Sequence, residues 1–210
     1  RGEVHVRPRG GAGDEQARYR VAASVAPRGG DTREARRLRH RLYVYAGHAL
    51  GGLHHFLSRH YNDRTDEYGG SLENRVRLLR EVIEDTREAV GDRAAVAVRV
   101  TVDELLGDEG LSKAEMEDAF GLLGELPDLW DLVLGSWEDD SRTSRFADEA
   151  FQEPFVTGLV VRRLTTKPVV GVGRFTPPET MVRQVKAGIR DLIGCARPSI
   201  ADPFLPRKVE

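Results

Sequence analysis

From Leu42 onward the apolar positions fall into two periods. Residues 42–45, Leu-Tyr-Val-Tyr, are β-branched and aromatic and predict a short strand. A polar stretch over 60–70 reads as a long loop. Ser71 then stands as an N-cap before Leu72, Val76, Leu79, Val82, Ile83 and Val90, a helical spacing that Gly91 stops. Residues 94–100 form a nearly continuous apolar strand broken only by Arg99. Ser112 and Glu115 frame a capping box that opens a helix through about Leu126. A strand over 129–134 ends at Gly135, and a polar loop follows over 136–145. A helix is predicted over 155–164 and a buried-type strand over 168–172. Thr176 to Glu179 reads as a second capping box, whose helix runs to Ala187 with Gly188 as its stop. A last strand is expected over 191–195, then a short turn or helix over 198–205.

Strands thus alternate with helices, and several strands are apolar on both faces. This pattern predicts an α/β fold with a parallel sheet covered by helices. Five strands suffice for a doubly wound sheet, whereas a closed barrel needs eight strands and about 250 residues.

Residues 1–41 share neither period. They hold eleven arginines and no lysine against five acids, a net +6. The whole chain carries −2, which leaves −8 for residues 42–210. Glycine pairs at 10–11 and 29–30 and little apolar area predict a disordered or aberrant segment. Arginine and glycine together suit nucleic acid, but Tyr19 is the segment's lone aromatic, so nucleic acid is not an expected partner. The composition is 40% hydrophobic and 31% charged, with no uncharged apolar run of membrane-spanning length. The basic, polar amino end does not resemble a secretory signal. One cysteine, Cys195, excludes a disulfide framework or a cysteine-built metal site within the chain, and its apolar neighbours predict a buried, inert thiol. A soluble cytoplasmic protein is expected.

Candidate chemistry gathers where the predicted strands end, as parallel α/β folds require. Tyr45 and His48 follow the first strand and offer proton transfer or hydrogen bonding, or a satisfied structural histidine. Arg99 lies in an apolar strand, where an unpaired guanidinium is costly. It must meet an anion, an electron-rich ligand, or an acid such as Asp131. Trp137, Asp139 and Asp140 follow the third strand, as packing and solvated loop or as an aromatic wall beside an acid. Gly173-Arg174 and Ala196-Arg197 follow the last two strands. Glycine admits backbone N–H groups to an anion and arginine binds it bidentately, so the pair suggests a phosphate clamp. The bland alternative is two tight turns with surface arginines.

The stretch Tyr61-Asn-Asp-Arg-Thr-Asp-Glu-Tyr-Gly-Gly-Ser-Leu-Glu-Asn-Arg75 closely resembles the signature of the Old Yellow Enzyme family, FMN-dependent oxidoreductases on a (β/α)8 barrel. Gly171-Val-Gly-Arg174 and Ile193-Gly-Cys-Ala-Arg197-Pro-Ser-Ile-Ala-Asp-Pro203 are similar to its phosphate-binding strand ends. Tyr43-Val-Tyr45-Ala-Gly-His48, Leu129-Trp-Asp131 and Asp140 with Ser144-Arg-Phe146 resemble the trimethylamine, dimethylamine and histamine dehydrogenase branch. The resemblance covers residues 42–210 and implies a partial FMN-binding TIM barrel, about strands four to eight. It implies Arg99 beside the flavin pyrimidine ring, with Gly173, Arg174, Ala196 and Arg197 at the phosphate. Tyr45, His48 and Asp140 resemble the branch's substrate triad, and Trp137 an aromatic wall of its amine pocket. Two departures stand out. The dipeptide inside Tyr-x-x-His is inverted to Ala46-Gly47, and the loop after Gly135 is shortened. The branch's flavin-attaching cysteine would lie upstream, and the ligands of its [4Fe–4S] centre are absent from this chain; such a centre belongs to a full-length parent.

The implied activity is oxidation of an N-methylated or other small amine. The alternatives are an NAD(P)H-dependent enone or alkene reductase of the same family, in which a tyrosine donor would matter more than the acid, and an inactive fragment. The expected partner is the small-molecule amine or enone, with no electron acceptor assigned and a homo-oligomeric parent allowed by the family.

Overall fold

A computed structural model describes residues 41–47, 52–136, 142–161 and 164–205. The Arg/Gly-rich segment predicted as disordered therefore lies, but for Arg41, outside the described residues. Five strands form one parallel sheet in the order β1 (Arg41–Ala46), β2 (Ala95–Thr101), β3 (Leu129–Val133), β4 (Val169–Gly171) and β5 (Leu192–Ile193). The helices are α1 (Gly52–Leu57), α2 (Leu72–Val90), α3 (Lys113–Leu123), α4 (Glu153–Val161), α5 (Pro178–Lys186) and α6 (Ala196–Ala201).

The strand order follows the chain order without reversal. A doubly wound sheet reverses at a switch point, whereas a barrel advances in one direction. This sheet is therefore a sector of a barrel. Its two faces differ accordingly. Leu42, Val44, Val96, Val98, Trp130, Leu132 and Val169 join one buried cluster with α1, α2 and α3 residues such as Leu57, Val76, Leu79, Ile83, Met116 and Phe120. The alternate positions, Tyr43, Tyr45, Ala97, Arg99, Leu129 and Asp131, take the other face, the barrel interior.

α2 begins and ends where its caps predict. Ser71 accepts from the Asn74 N–H, and Gly91 ends α2 with φ +54°. Ser112 accepts from the Glu115 N–H at 3.3 Å, but the Glu115 carboxylate turns to Arg75 and Arg59 rather than back to the cap. The capping box is thus half formed, and α3 closes at Leu123 instead of Leu126. At α5 the cap is Pro177, not Thr176: the Thr176 N–H donates to Glu149, and its hydroxyl donates to the Arg174 carbonyl. The last strand shrinks to two residues, because only Leu192 and Ile193 find partners on β4. Elements that escape the sequence pattern include α1, whose Gly-Leu-His-His-Phe-Leu looks polar, and a π-helical turn over Arg142–Phe146 inside the predicted loop. Among the described residues no helix is long and apolar enough to cross a membrane.

The signature stretch 61–75 proves to be scaffold. Asn62 donates to the carbonyls of Phe56 and Tyr68 at 2.6 and 2.8 Å. Gly69 packs on the Arg64 carbonyl so closely that any Cβ would collide with it. Arg75, 4% exposed, donates to the carbonyls of Leu57 and Gly70 and pairs with Glu115. The loop therefore staples α1 to the start of α2.

Candidate active site

Register builds the first part of the site. Tyr45 pairs with Arg99, and Arg99 with Asp131, so three polar side chains stand in one row on the interior face of β1, β2 and β3. The Arg99 guanidinium lies 5.7 Å from the centre of the Tyr45 ring, and its Nε lies 3.1 Å from Asp131 Oδ2. Asp131 is thus the acid that meets Arg99. The pair is poorly satisfied, for neither Arg99 Nε nor Asp131 Oδ1 has a hydrogen-bond partner among the described residues. Burial pushes the Asp131 carboxyl above the ordinary aspartate value, and the guanidinium offsets only part of that cost. Tyr45 is exposed and Arg99 keeps 29% of its side chain open, so the row faces outward from the sheet rather than into the helices.

The inverted Ala46-Gly47 dipeptide has a place in this geometry. Ala46 faces the core and is fully buried. Gly47 faces the row, where a Cβ would fall 3.1 Å from Val133 and 3.5 Å from the Arg99 side chain. The inversion leaves room beside Arg99.

The second part lies at the ends of β4 and β5. The Gly194 N–H donates to the Gly171 carbonyl at 2.9 Å, which brings the segments after the two strands side by side. Gly173 and Arg174 follow β4, and Ala196 and Arg197 open α6, exposed. The Arg174 guanidinium donates to the Ala147 carbonyl at 2.7 Å, so this side chain braces the loop instead of reaching across as the sequence suggests. Its backbone offers more: Arg174 holds φ +56°, a turn of the kind in which successive N–H groups converge on an anion. The Gly173 carbonyl accepts from the Ala150 N–H at 2.8 Å, while the N–H groups of Gly173 and Arg174 have no acceptor among the described residues. Cys195 is half-buried rather than buried, and burial raises its thiol pKa.

His48, Trp137 and Asp140 lie outside the described residues. The structure brings Tyr45 together with Arg99, and joins the ends of β4 and β5 through the Gly194–Gly171 hydrogen bond.

Sequence reasoning missed a buried cluster beneath the β1 exit. His54 on α1 is fully buried, its Nε2 2.7 Å from Glu104 Oε1 and its Nδ1 3.3 Å from the Ala46 carbonyl. Ser58 and the Leu111 N–H donate to the other Glu104 oxygen at 2.7 and 2.6 Å. Burial pushes the Glu104 carboxyl up, but His54, Leu111 and Ser58 together bring it below the ordinary value. Reading α1 as a helix would have placed His54 on its inner face with Leu53 and Leu57.

The chain is 44% identical to dimethylamine dehydrogenase of Hyphomicrobium sp. (strain x) over 171 residues, which cover 80% of this chain and 23% of that protein. The structure of histamine dehydrogenase from Rhizobium sp. 4-9 matches with TM-score 0.74 and 56% identity, over 80% of this chain and 24% of that one. That of 6-hydroxypseudooxynicotine amine oxidase from Pseudomonas geniculata N1 matches with TM-score 0.74 and 50% identity, over 80% and 25%. The chain thus spans about a quarter of the length of these relatives. Residues 42–210 match the NADH:flavin oxidoreductase / NADH oxidase family, and the chain belongs to that family.

Proposed function

We propose that this protein is an FMN-dependent oxidoreductase that dehydrogenates a small amine, with residues 42–210 as part of its FMN-binding barrel and the cytoplasm as its location. The observation that carries the reading is the Tyr45–Arg99–Asp131 row on the sheet face opposite α1, α2 and α3, in a chain 44% and 56% identical to proteins named for amine oxidation. The residues present fit the cofactor. Among the described residues Arg99 Nε and Asp131 Oδ1 are polar atoms without hydrogen-bond partners, and two N–H groups at Gly173 and Arg174 suit a phosphate.

When bound, FMN supplies the two-electron redox chemistry. Arg99 would hold the ring system and place positive charge at its pyrimidine edge, with Tyr45 packing beside the guanidinium. Gly173, Arg174, Ala196 and Arg197 would hold the phosphate, the first two through backbone N–H groups. Tyr45, His48 and Asp140 would bind the substrate nitrogen and set its protonation, and Trp137 would wall the amine pocket. Asp131 keeps Arg99 oriented across the row. No residue of this chain is assigned to an iron–sulfur centre or to the electron acceptor.

Anaerobic mixing of the flavin-loaded full chain with dimethylamine or histamine tests the reading: either amine should bleach the yellow absorbance. A protein bleached by reduced nicotinamide alone and reoxidised by an enone is a reductase instead, and one that binds no flavin overturns the assignment. In the loaded protein Arg99→Met should lower the flavin potential, by an amount worth about 1.4 kcal/mol. An unchanged potential would mean that Arg99 serves only its pair with Asp131.

A further inference from the structure

The phosphate reading leaves a buried cation unexplained. Arg190 precedes β5 and is 1% exposed, behind the sheet rather than in its interior. Its Nη1 donates to the Val172 carbonyl at 3.0 Å, and its guanidinium lies 5.0 Å from the centre of the Phe175 ring. Gly171 makes room for it, since a Cβ there would fall 2.5 Å from Nη1. The ring of Phe175 in turn closes on Gly173, where a Cβ would lie 2.8 Å from it. Arg190 Nε and Nη2 have no hydrogen-bond partner among the described residues. Burial lowers its pKa to about 10, while the Glu153 carboxylate pulls the other way. Such a residue costs stability, and its contacts fall on the segment 171–175.

The peptide geometry says what those contacts do. All described peptides are trans, so each N–H points opposite to the carbonyl of its own peptide unit. The Val172 carbonyl shares a peptide with the Gly173 N–H, and the Gly173 carbonyl with the Arg174 N–H. Arg190 draws the first carbonyl to the helix side, and the Ala150 N–H holds the second. The two N–H groups left over are thereby turned away from those anchors.

We propose that Arg190 is a positioning residue for the flavin phosphate: it touches no ligand but fixes the Val172–Gly173 peptide so that the Gly173 N–H faces the anion. The inference rests on the phosphate reading of Gly173 and Arg174. Arg190 and Phe175 act as one clamp, the guanidinium gripping the carbonyl and the ring setting the depth of Gly173.

FMN and riboflavin differ only at the phosphate, so their affinity ratio isolates this effect from folding. Titrations of the full chain with each flavin, followed by flavin fluorescence, give the ratio for wild type, Arg190→Met and Arg190→Lys. Wild type should prefer FMN. Arg190→Met should lose about tenfold of that preference with riboflavin affinity unchanged, the size of one charge-assisted hydrogen bond. Arg190→Lys, which can still donate to Val172, should recover part of it. If Arg190→Met does not fold, Gly171→Ala carries the test, because its methyl displaces the guanidinium without removing it, and the ratio must fall. A wild-type chain that binds both flavins equally, or neither, overturns the phosphate reading and this inference with it. A wild type that prefers FMN and an Arg190→Met ratio equal to it overturn the inference alone.

Discussion

β1, β2 and β3 run for six, seven and five residues, whereas β4 and β5 run for three and two. The first three strands bury alternate residues against α1, α2 and α3 in one cluster that includes Trp130 on Phe120, ring centres 4.6 Å apart. The last two are flanked by α5 and α6, where Val182, Val185 and Ile200 stay exposed. Buried charge differs in the same way. In the front, His54, Glu104 and Ser58 form a mutually bonded set. In the rear, Arg190 is buried with two nitrogens unpaired among the described residues. The front is built for stability by apolar burial, with the bonded His54–Glu104–Ser58 set beneath the β1 exit. The rear holds a loop in a particular backbone shape at some cost in stability. The candidate site straddles both, with a side-chain row on the front strands and backbone donors on the rear ones.

The largest blow to the front should come from Glu104→Ala. It strips His54, Ser58 and the Leu111 N–H of their shared buried partner, a loss on the order of 4 kcal/mol. Urea denaturation read by tryptophan fluorescence measures it, Trp130 being fully buried in this region. The pH dependence follows the same group. Its folded pKa is depressed, so its stabilisation is present above the unfolded carboxylate value near 4.3 and is lost as pH falls through the lower folded value. Wild type should therefore lose stability below about pH 4.3 more steeply than Glu104→Ala. Equal slopes would mean that His54 and Ser58 do not hold this carboxylate in its charged form.

One kind of truncation at two places compares the halves directly. Leu132→Ala opens a cavity in the fully buried cluster and should cost about 3 kcal/mol. Ile193→Ala on half-exposed β5 should cost about 1 kcal/mol. Equal losses in the same denaturation experiment would mean that the rear is as well packed as the front. Amide hydrogen exchange gives a gentler version of the contrast. Peptides from β2 should be protected by about 2 kcal/mol more than those from β4 and β5, since short strands open locally before the whole sheet does.

How far the sequence discloses this division depends on the kind of signal. Strands of five to seven apolar residues and helices with serine caps announce themselves through period and capping, which is why β1–β3 and α2 lie close to their predicted bounds. The predicted strand over 191–195 exceeds β5 because the length of β5 is set by how many residues reach β4, a matter of register and not of propensity. α1 was missed because two histidines in six residues hide an apolar face whose polar members are satisfied by distant partners. The site divides similarly. Arg99 is legible because a charge inside an apolar strand demands a partner, and Asp131 is an acid the sequence offers for it. Arg190 is not, because an arginine two residues after Gly188 looks like an ordinary surface charge; only the fold puts it behind Gly171.

The smallest predicted change has the opposite sign from the others. Arg190→Met removes a buried guanidinium with two unpaired nitrogens and replaces it with a flexible apolar chain that fits beside Phe175. The loss of one hydrogen bond to Val172 costs about 1 kcal/mol, and relief of the buried, under-partnered charge returns about 2 kcal/mol. The variant should be more stable by about 1 kcal/mol at neutral pH. The titration gives a second sign. Because the folded Arg190 pKa is lowered to about 10, the unfolded chain binds its proton more tightly, and this group opposes folding below that pH. Its penalty fades as pH rises from about 10 toward the unfolded value, so the advantage of Arg190→Met should shrink over that range. Paired denaturation curves at neutral and alkaline pH measure both effects. A variant less stable than wild type at neutral pH would show that Arg190 holds the rear half together, and the contrast between a stabilising front and a shape-holding rear would then fail at the residue on which it depends most.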